Sequence, residues 1–174
     1  MKSISDIATA QTAYYALYES HLRYGIVVWG GTTVGNLQRV LKHQKRAIRV
    51  LGDLHPRQSC RETFRGLKIL TVVNLYIQAA VTQLHTKTPE AVRTGTHYHN
   101  YNTRYASNYC LPVHHLTTTE KKPSYVGAKL WNSLPKELKK MEKKHFGNRL
   151  RSWLQEHSFY SLTEFYQWTD APTN

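Results

Sequence analysis

Residues 37–51 read "LQRVLKHQKRAIRVL", fifteen positions of which five are Lys or Arg and six are Leu, Val or Ile. On a helix over 35–51, at ~100° per residue, Leu37, Val40, Leu41, Ala47, Ile48 and Leu51 gather into roughly one third of the circumference. Arg39, Lys42, Lys45, Arg46 and Arg49 fall in a comparable arc on the other side. One face is therefore made to lie on a core and the other to present cations. A solvated helix face ordinarily mixes both signs, yet no acid stands between Leu37 and Leu51. Arg57, Arg61, Arg65 and Lys68 continue the positive run, and a basic stripe of this kind points to nucleic acid. A membrane-surface helix is the competing reading, but the aliphatic face lacks the bulky Trp or Phe that anchors such helices.

The charge of the whole chain agrees with that face. In 174 residues, 24 Lys and Arg oppose 11 acids, a net +13, and both halves share the excess: 12 bases against 4 acids in residues 1–87, and 12 against 7 in 88–174. Such a balance selects a polyanionic partner and says nothing about fold. Hydrophobic residues make up 40% and aromatics 11%, enough apolar material for one domain or two small lobes. Cys60 and Cys110 are the only cysteines, so no disulfide framework is expected and a reducing compartment is. Residues 1–31 lack an apolar core of signal-peptide type, and no stretch approaches the ~18 apolar residues of a membrane span. The expectation is an intracellular protein, nuclear or cytoplasmic, without a membrane partner, a cofactor or a small-molecule substrate.

Working outward from the basic helix, residues 4–24 read as a helix with Ile7, Ala10, Tyr14, Leu17 and His21 on its apolar side. "YGIVVWGG" (24–31) reads as an extended or turning segment, given its β-branched run and paired glycines. Ser59 and Glu62 have capping-box spacing for a short helix, and Thr71 to about His85 continues helical. From Thr86 to Pro123 no period is sustained, which predicts a long irregular arm. Helical signals return in "SYVGAKLWNSL", in "PKELKKM" with Pro135 suited to a helix start, in "FGNRLRSWLQEH", and in "SLTEF" with Ser161 and Glu164 as a second capping box. Trp131, Trp153, Phe159, Tyr160 and Phe165 are expected to build one C-terminal apolar cluster. The fold class that follows is mainly α: a helical lobe over 1–86, an arm over 87–123 and a C-terminal helical segment over 124–174.

Six motifs, "YYALYESHLRYGIVVWG" (14–30), "LKHQKRAIRVL" (41–51), "RQSCRETFRGLKILTVVNLYI" (57–77), "HNYNTR" (99–104), "YVGAKLWNSLPKEL" (125–138) and "FGNRLRSWLQEHSFYSLTEF" (146–165), stand in this order. Together they resemble the region C-terminal to the polymerase core in Jockey-like non-LTR retrotransposon reverse transcriptases, over about residues 10–166. The resemblance implies a thumb and C-terminal extension that grips template RNA and the RNA–DNA duplex, with the polymerase palm as its neighbour in the parent protein. Such a polymerase needs paired aspartates to hold two Mg²⁺ ions. Here Asp6, Asp53 and Asp170 are the only aspartates and none are adjacent. The expectation is thus a non-catalytic portion of an RNA-directed DNA polymerase: a terminal fragment, a truncated copy or a host gene derived from one.

The arm offers two more constellations. His97, His99, Cys110, His114 and His115 invite a metal reading, but a structural site wants four ligands in two close pairs, and these spacings match no familiar zinc signature. Tyr98, Tyr101, Tyr105 and Tyr109 are interleaved with Arg104. Their rings can stack on unpaired bases while Arg104 holds phosphate, or they can anchor the arm to the helices; both readings stay open. In "LPKELKKMEKK" the lysines alternate with Glu137 and Glu142, so side-chain pairing predicts an ordinary solvated face. The nucleic-acid-binding residues expected are Arg39, Lys42, Lys45, Arg46, Arg49, Arg57, Arg61 and Arg104, with possible base stacking by Tyr98, Tyr101 and Tyr105. The alternative function is a protein-interaction module that oligomerises through apolar surface at Ile26, Val27, Val28 and Trp29.

Overall fold

The computed structural model describes residues 4–31, 33–87, 108–111, 113 and 116–170, and every regular element among them is helical. In chain order these are α1 (Ile4–Ala13), a π-helical turn (Tyr14–Glu19), α2 (Ser20–Arg23), α3 (Ile26–Trp29), α4 (Val34–Leu51), α5 (Arg61–Gly66) and α6 (Val72–Lys87). They continue with α7 (Thr117–Glu120), α8 (Pro123–Asn132), α9 (Lys136–Lys139), α10 (Lys143–Glu156) and α11 (Leu162–Asp170). The mainly α class is as expected. Two compact units result, Met1–Tyr76 with Leu154–Ser161, and Ile77–Trp153 with Leu162–Asn174.

In the first unit α4 is the central element. The Thr33 side chain caps it by accepting from Asn36 N at 3.3 Å, and Leu37, Leu41 and Ile48 are buried along one side. The most informative residue on that side is polar. Gln44 is fully buried; its Nε2 donates to Tyr14 Oη (2.8 Å) and Leu70 O (2.9 Å), and its Oε1 accepts from Val72 N (2.7 Å). One side chain thus ties α4 to the π turn and to the start of α6, with its amide hydrogen-bonded at both ends. Burial, opposed by the Gln44 hydrogen bond, pushes the Tyr14 phenol well above its ordinary range.

The π turn revises the expected face of the N-terminal helix. A wider turn brings residues five apart onto one side, so Tyr14 and Glu19 are both buried, followed by Leu22. Leu17 and His21, expected inward, are exposed. Buried Glu19 is compensated by Arg23 Nε at 2.8 Å. "YGIVVWGG" is likewise helical rather than extended. Gly25 adopts φ 62°, which admits a sharp reversal, and Ile26–Trp29 then form one helical turn closed by Gly30 N donating to Ile26 O at 2.8 Å. A Cβ on Gly30 would stand 2.5 Å from the Tyr76 ring, so only glycine admits that approach. The expected capping box at α5 is absent: Ser59 Oγ accepts from Arg61 N (3.4 Å), and Glu62 pairs with Arg65 (2.7 Å).

Residues 154–161 belong to this first unit and are held by polar side chains. Thr71 Oγ1 donates to Phe159 O (2.7 Å), and Asn74 Nδ2 to Leu154 O and His157 O (2.6 Å each). Gln38 Nε2 donates to Tyr160 O (2.6 Å) and Gln155 Nε2 to Lys68 O (2.7 Å). These donors fix the backbone of Phe159 and Tyr160 in the first unit, whereas Trp131, Trp153 and Phe165 of the expected aromatic cluster belong to the second.

In the second unit His85 stacks on Trp131 (4.7 Å between centroids, 17° between planes), and Phe146 lies 4.8 Å from the same imidazole. Trp153 meets Phe165 and Trp168 edge-on. Asn132 grips the chain at Tyr109 from both sides, Oδ1 accepting from Tyr109 N (2.8 Å) and Nδ2 donating to Tyr109 O (2.9 Å). Lys139 Nζ donates to Asn108 Oδ1 (3.0 Å) and Asn132 O (2.6 Å). Burial, assisted by the charge of Lys136, lowers the Lys139 ammonium to about 8. Within the span expected to be irregular, Thr117–Glu120 and the start of α8 at Pro123 are helical.

Two expected outcomes follow. Gln44→Leu leaves Tyr14 Oη, Leu70 O and Val72 N without their buried partner, at ~1–3 kcal/mol per orphaned group. A loss on the order of 3 kcal/mol in urea denaturation checks this, and a neutral change would refute it. The second outcome concerns pH. The folded state binds fewer protons at Lys139 than the unfolded state from about pH 8 to its ordinary 10.5, so stability rises across that window. Tyr76, raised by burial to about 12 from 10.0, acts oppositely: its contribution is intact below pH 10 and lost above it. The urea midpoint should therefore climb from pH 8 towards 10, then fall, and Lys139→Met should abolish the climb.

Candidate nucleic-acid interface

Because Leu37, Leu41, Gln44 and Ile48 fix the inward side of α4, the outward side is set by the helical period. Arg39, Lys42 and Arg46 are exposed there, alongside His43. Among the described residues none of these three cations makes an ion pair or a hydrogen bond. Arg57, in the loop that follows, is exposed in the same condition.

The other expected cations divide differently. Lys45 and Arg49 lie on the flank of α4 and are half-buried. Lys45 Nζ sits 3.6 Å from the centroid of the Tyr160 ring, and the Arg61 guanidinium is 4.0 Å from the same ring. Arg61 Nη1 also donates to Ser158 O at 2.7 Å, and Arg49 Nη2 to Gln58 O at 3.3 Å. These three cations hold the fold together, two of them through the Tyr160 ring. The arc of five cations read from the helical period is thus corrected to an outer row of Arg39, Lys42 and Arg46 and an inner flank of Lys45 and Arg49. The physical reason is the return of residues 154–161 against Lys45, some hundred residues distant in sequence, and of the loop at Gln58 against Arg49. Downstream, Arg65 is engaged by Glu62, while Lys68 is exposed.

A groove of about 530 Å³ adjoins the outer row, lined by Arg46, Arg49, Val50, Asp53, Leu54 and Pro56. Its apolar parts suit a flat ring, but Asp53 opposes a phosphate there. Arg104, Tyr98, Tyr101 and Tyr105 lie outside the described residues, as do His97, His99, His114 and His115. Tyr109 is buried and meets Trp131 edge-on at 5.5 Å, so of the arm tyrosines this one serves as an anchor. Cys110 is exposed and unbridged, and no metal-holding cluster occurs among the described residues. No helix among them is long and apolar enough to cross a membrane.

The apolar surface expected at 26–29 is mostly internal: Ile26 is buried, Val27 and Trp29 are half-buried, and only Val28 is open. The residue that sequence reasoning missed is Gln44, which touches no ligand yet helps set which cations face outward; a lone amide at a core position was the available signal. No protein-family model matches the chain, and searches of curated proteins and of solved structures return no match.

Lys45 and Arg39 should respond oppositely to truncation. Lys45→Ala removes a cation–ring contact worth ~1 kcal/mol at a partly desolvated site, whereas Arg39→Ala should stay within ~0.5 kcal/mol. Thermal melts of the two variants check the division, and equal stability loss would contradict it.

Proposed function

We propose that this chain is a non-catalytic nucleic-acid-binding module that contacts the phosphates of RNA or an RNA–DNA duplex through Arg39, Lys42 and Arg46, with Arg57 beside them. The observation that carries this reading is a row of exposed cations on a well-anchored helix with no carboxylate engaged to any of them. Unpaired surface guanidinium and ammonium groups keep their full field, and a phosphate backbone gains most where no internal anion has first to be displaced. Binding of this kind is salt-sensitive and weakly selective for sequence, because phosphate contacts position a ligand without reading it. The origin we propose, on the motif resemblance given above, is the thumb and C-terminal extension of a non-LTR retrotransposon reverse transcriptase. The palm of such a polymerase would be its natural neighbour.

A second reading draws on exposed apolar side chains in the first unit. Leu17, Tyr24 and Val28 are 71%, 87% and 70% exposed, which favours association through an apolar surface. That association strengthens or persists in salt, whereas phosphate binding weakens.

The test is the double reversal Lys42→Glu with Arg46→Glu, with helicity checked by circular dichroism. Affinity for single-stranded RNA should fall by about tenfold or more at ~100 mM salt, and the slope of log K on log salt should shrink by ~1.5. Unchanged affinity and slope in a folded variant would refute the α4 face as the contact.

A further inference from the structure

Helix α10 carries a second cationic surface. Between Lys143 and Trp153 it holds two Lys, two Arg and one His, and no acid. Lys144, Asn148, Arg151 and Ser152 recur at the four-, seven- and eight-residue steps that share one helical face. All four are exposed, while Phe146 and Leu150 on the opposite side are buried. The pairing with glutamate expected from sequence does not form. Helix α9 ends at Lys139, so Lys140–Glu142 lie outside regular structure. Lys136, Lys140 and Lys144 make no ion pair among the described residues, and neither does Glu137 or Glu142.

We infer that this α10 face is a second nucleic-acid contact, an inference that rests on the functional reading above and assigns it a further surface. Lys144 and Arg151 are seven residues apart, ~10 Å along the axis, or roughly three base steps at 3.4 Å each along one strand. Between them Asn148 presents a neutral amide donor of the kind that reaches phosphate and sugar oxygens. Ser152 Oγ, which donates to Asn148 O at 3.1 Å, is exposed beside it. Beside this row, apart from its chain neighbours and the helix's own backbone, no atom lies within 4 Å of the position a Cβ would take on Gly147, so a ligand backbone meets no other side chain there. An anionic membrane fits the face less well, since Lys144, Asn148, Arg151 and Ser152 include no apolar side chain to enter the lipid.

The experiment compares full-length variants by fluorescence anisotropy on labelled single-stranded RNA between about 50 and 200 mM salt. Lys144→Glu with Arg151→Glu should weaken binding about tenfold and lower the salt slope by ~1.5. Lys121→Glu with Lys122→Glu, which changes net charge equally at another exposed pair, should stay within about twofold of wild type. Wild-type binding by the α10 variant, or an equal loss in the control, overturns the inference. Where the reversal disturbs folding, Lys144→Gln with Arg151→Gln takes its place, with about threefold loss expected and no loss overturning the proposal. Loss in the α10 variant beside full binding by Lys42→Glu with Arg46→Glu refutes the α4 face and supports this one; the converse pattern refutes this one alone. Tighter binding to phosphatidylserine vesicles than to RNA overturns it in favour of a membrane.

Discussion

The first unit turns on one buried amide. Gln44 occupies a helix face otherwise made of Leu37, Leu41 and Ile48, and it finds partners on three separate segments: the Tyr14 hydroxyl, the Leu70 carbonyl and the Val72 amide. Apolar contacts specify the roll of a helix on its core through shape complementarity, and they lose uniqueness before stability when that fit is imperfect. A buried polar group has few satisfied geometries, and each unsatisfied one is costly. Gln44 therefore reinforces, with Leu37, Leu41 and Ile48, which side of α4 faces out. The outward position of Arg39, Lys42 and Arg46 follows from that roll.

A second constraint sorts the remaining cations. Residues 154–161 are drawn in by Thr71, Asn74 and Gln38, and they bring Tyr160 against Lys45 and Arg61. An ammonium and a guanidinium both lie over one ring, whose electron-rich face attracts cations without an acid. The basic character of residues 37–68 is thus divided between cohesion and display.

What could be read from the residues depended on how local its cause was. The amphipathic period of 37–51 shows in the sequence because Leu37, Leu41 and Ile48 are spaced by the helix itself. The segment forms as expected, with Thr33 as its cap. The helical nature of α6 and α8 was legible for the same reason. The flank role of Lys45 and Arg61 was not, because it depends on a segment roughly a hundred residues away. The shift of the buried side from Leu17 to Glu19 depends on one widened turn, which no spacing rule announces. In "YGIVVWGG" the β-branched run argued for extended backbone, but the left-handed Gly25 and the contact of Gly30 with Tyr76 override that preference. The lysine–glutamate pairing expected over 136–144 needs side chains three or four apart on one helix, and α9 ends at Lys139.

The central claim is that the outer row of α4, and not its inner flank, meets nucleic acid. Lysine acetylation footprinting of the full chain, with and without single-stranded RNA and read by mass spectrometry, tests it most directly. Lys42, exposed and unengaged, should react readily in the free protein and become protected when RNA is bound. Lys45, set over the Tyr160 ring, should react slowly in both states. Full reactivity of Lys42 in the RNA-bound protein would contradict the account.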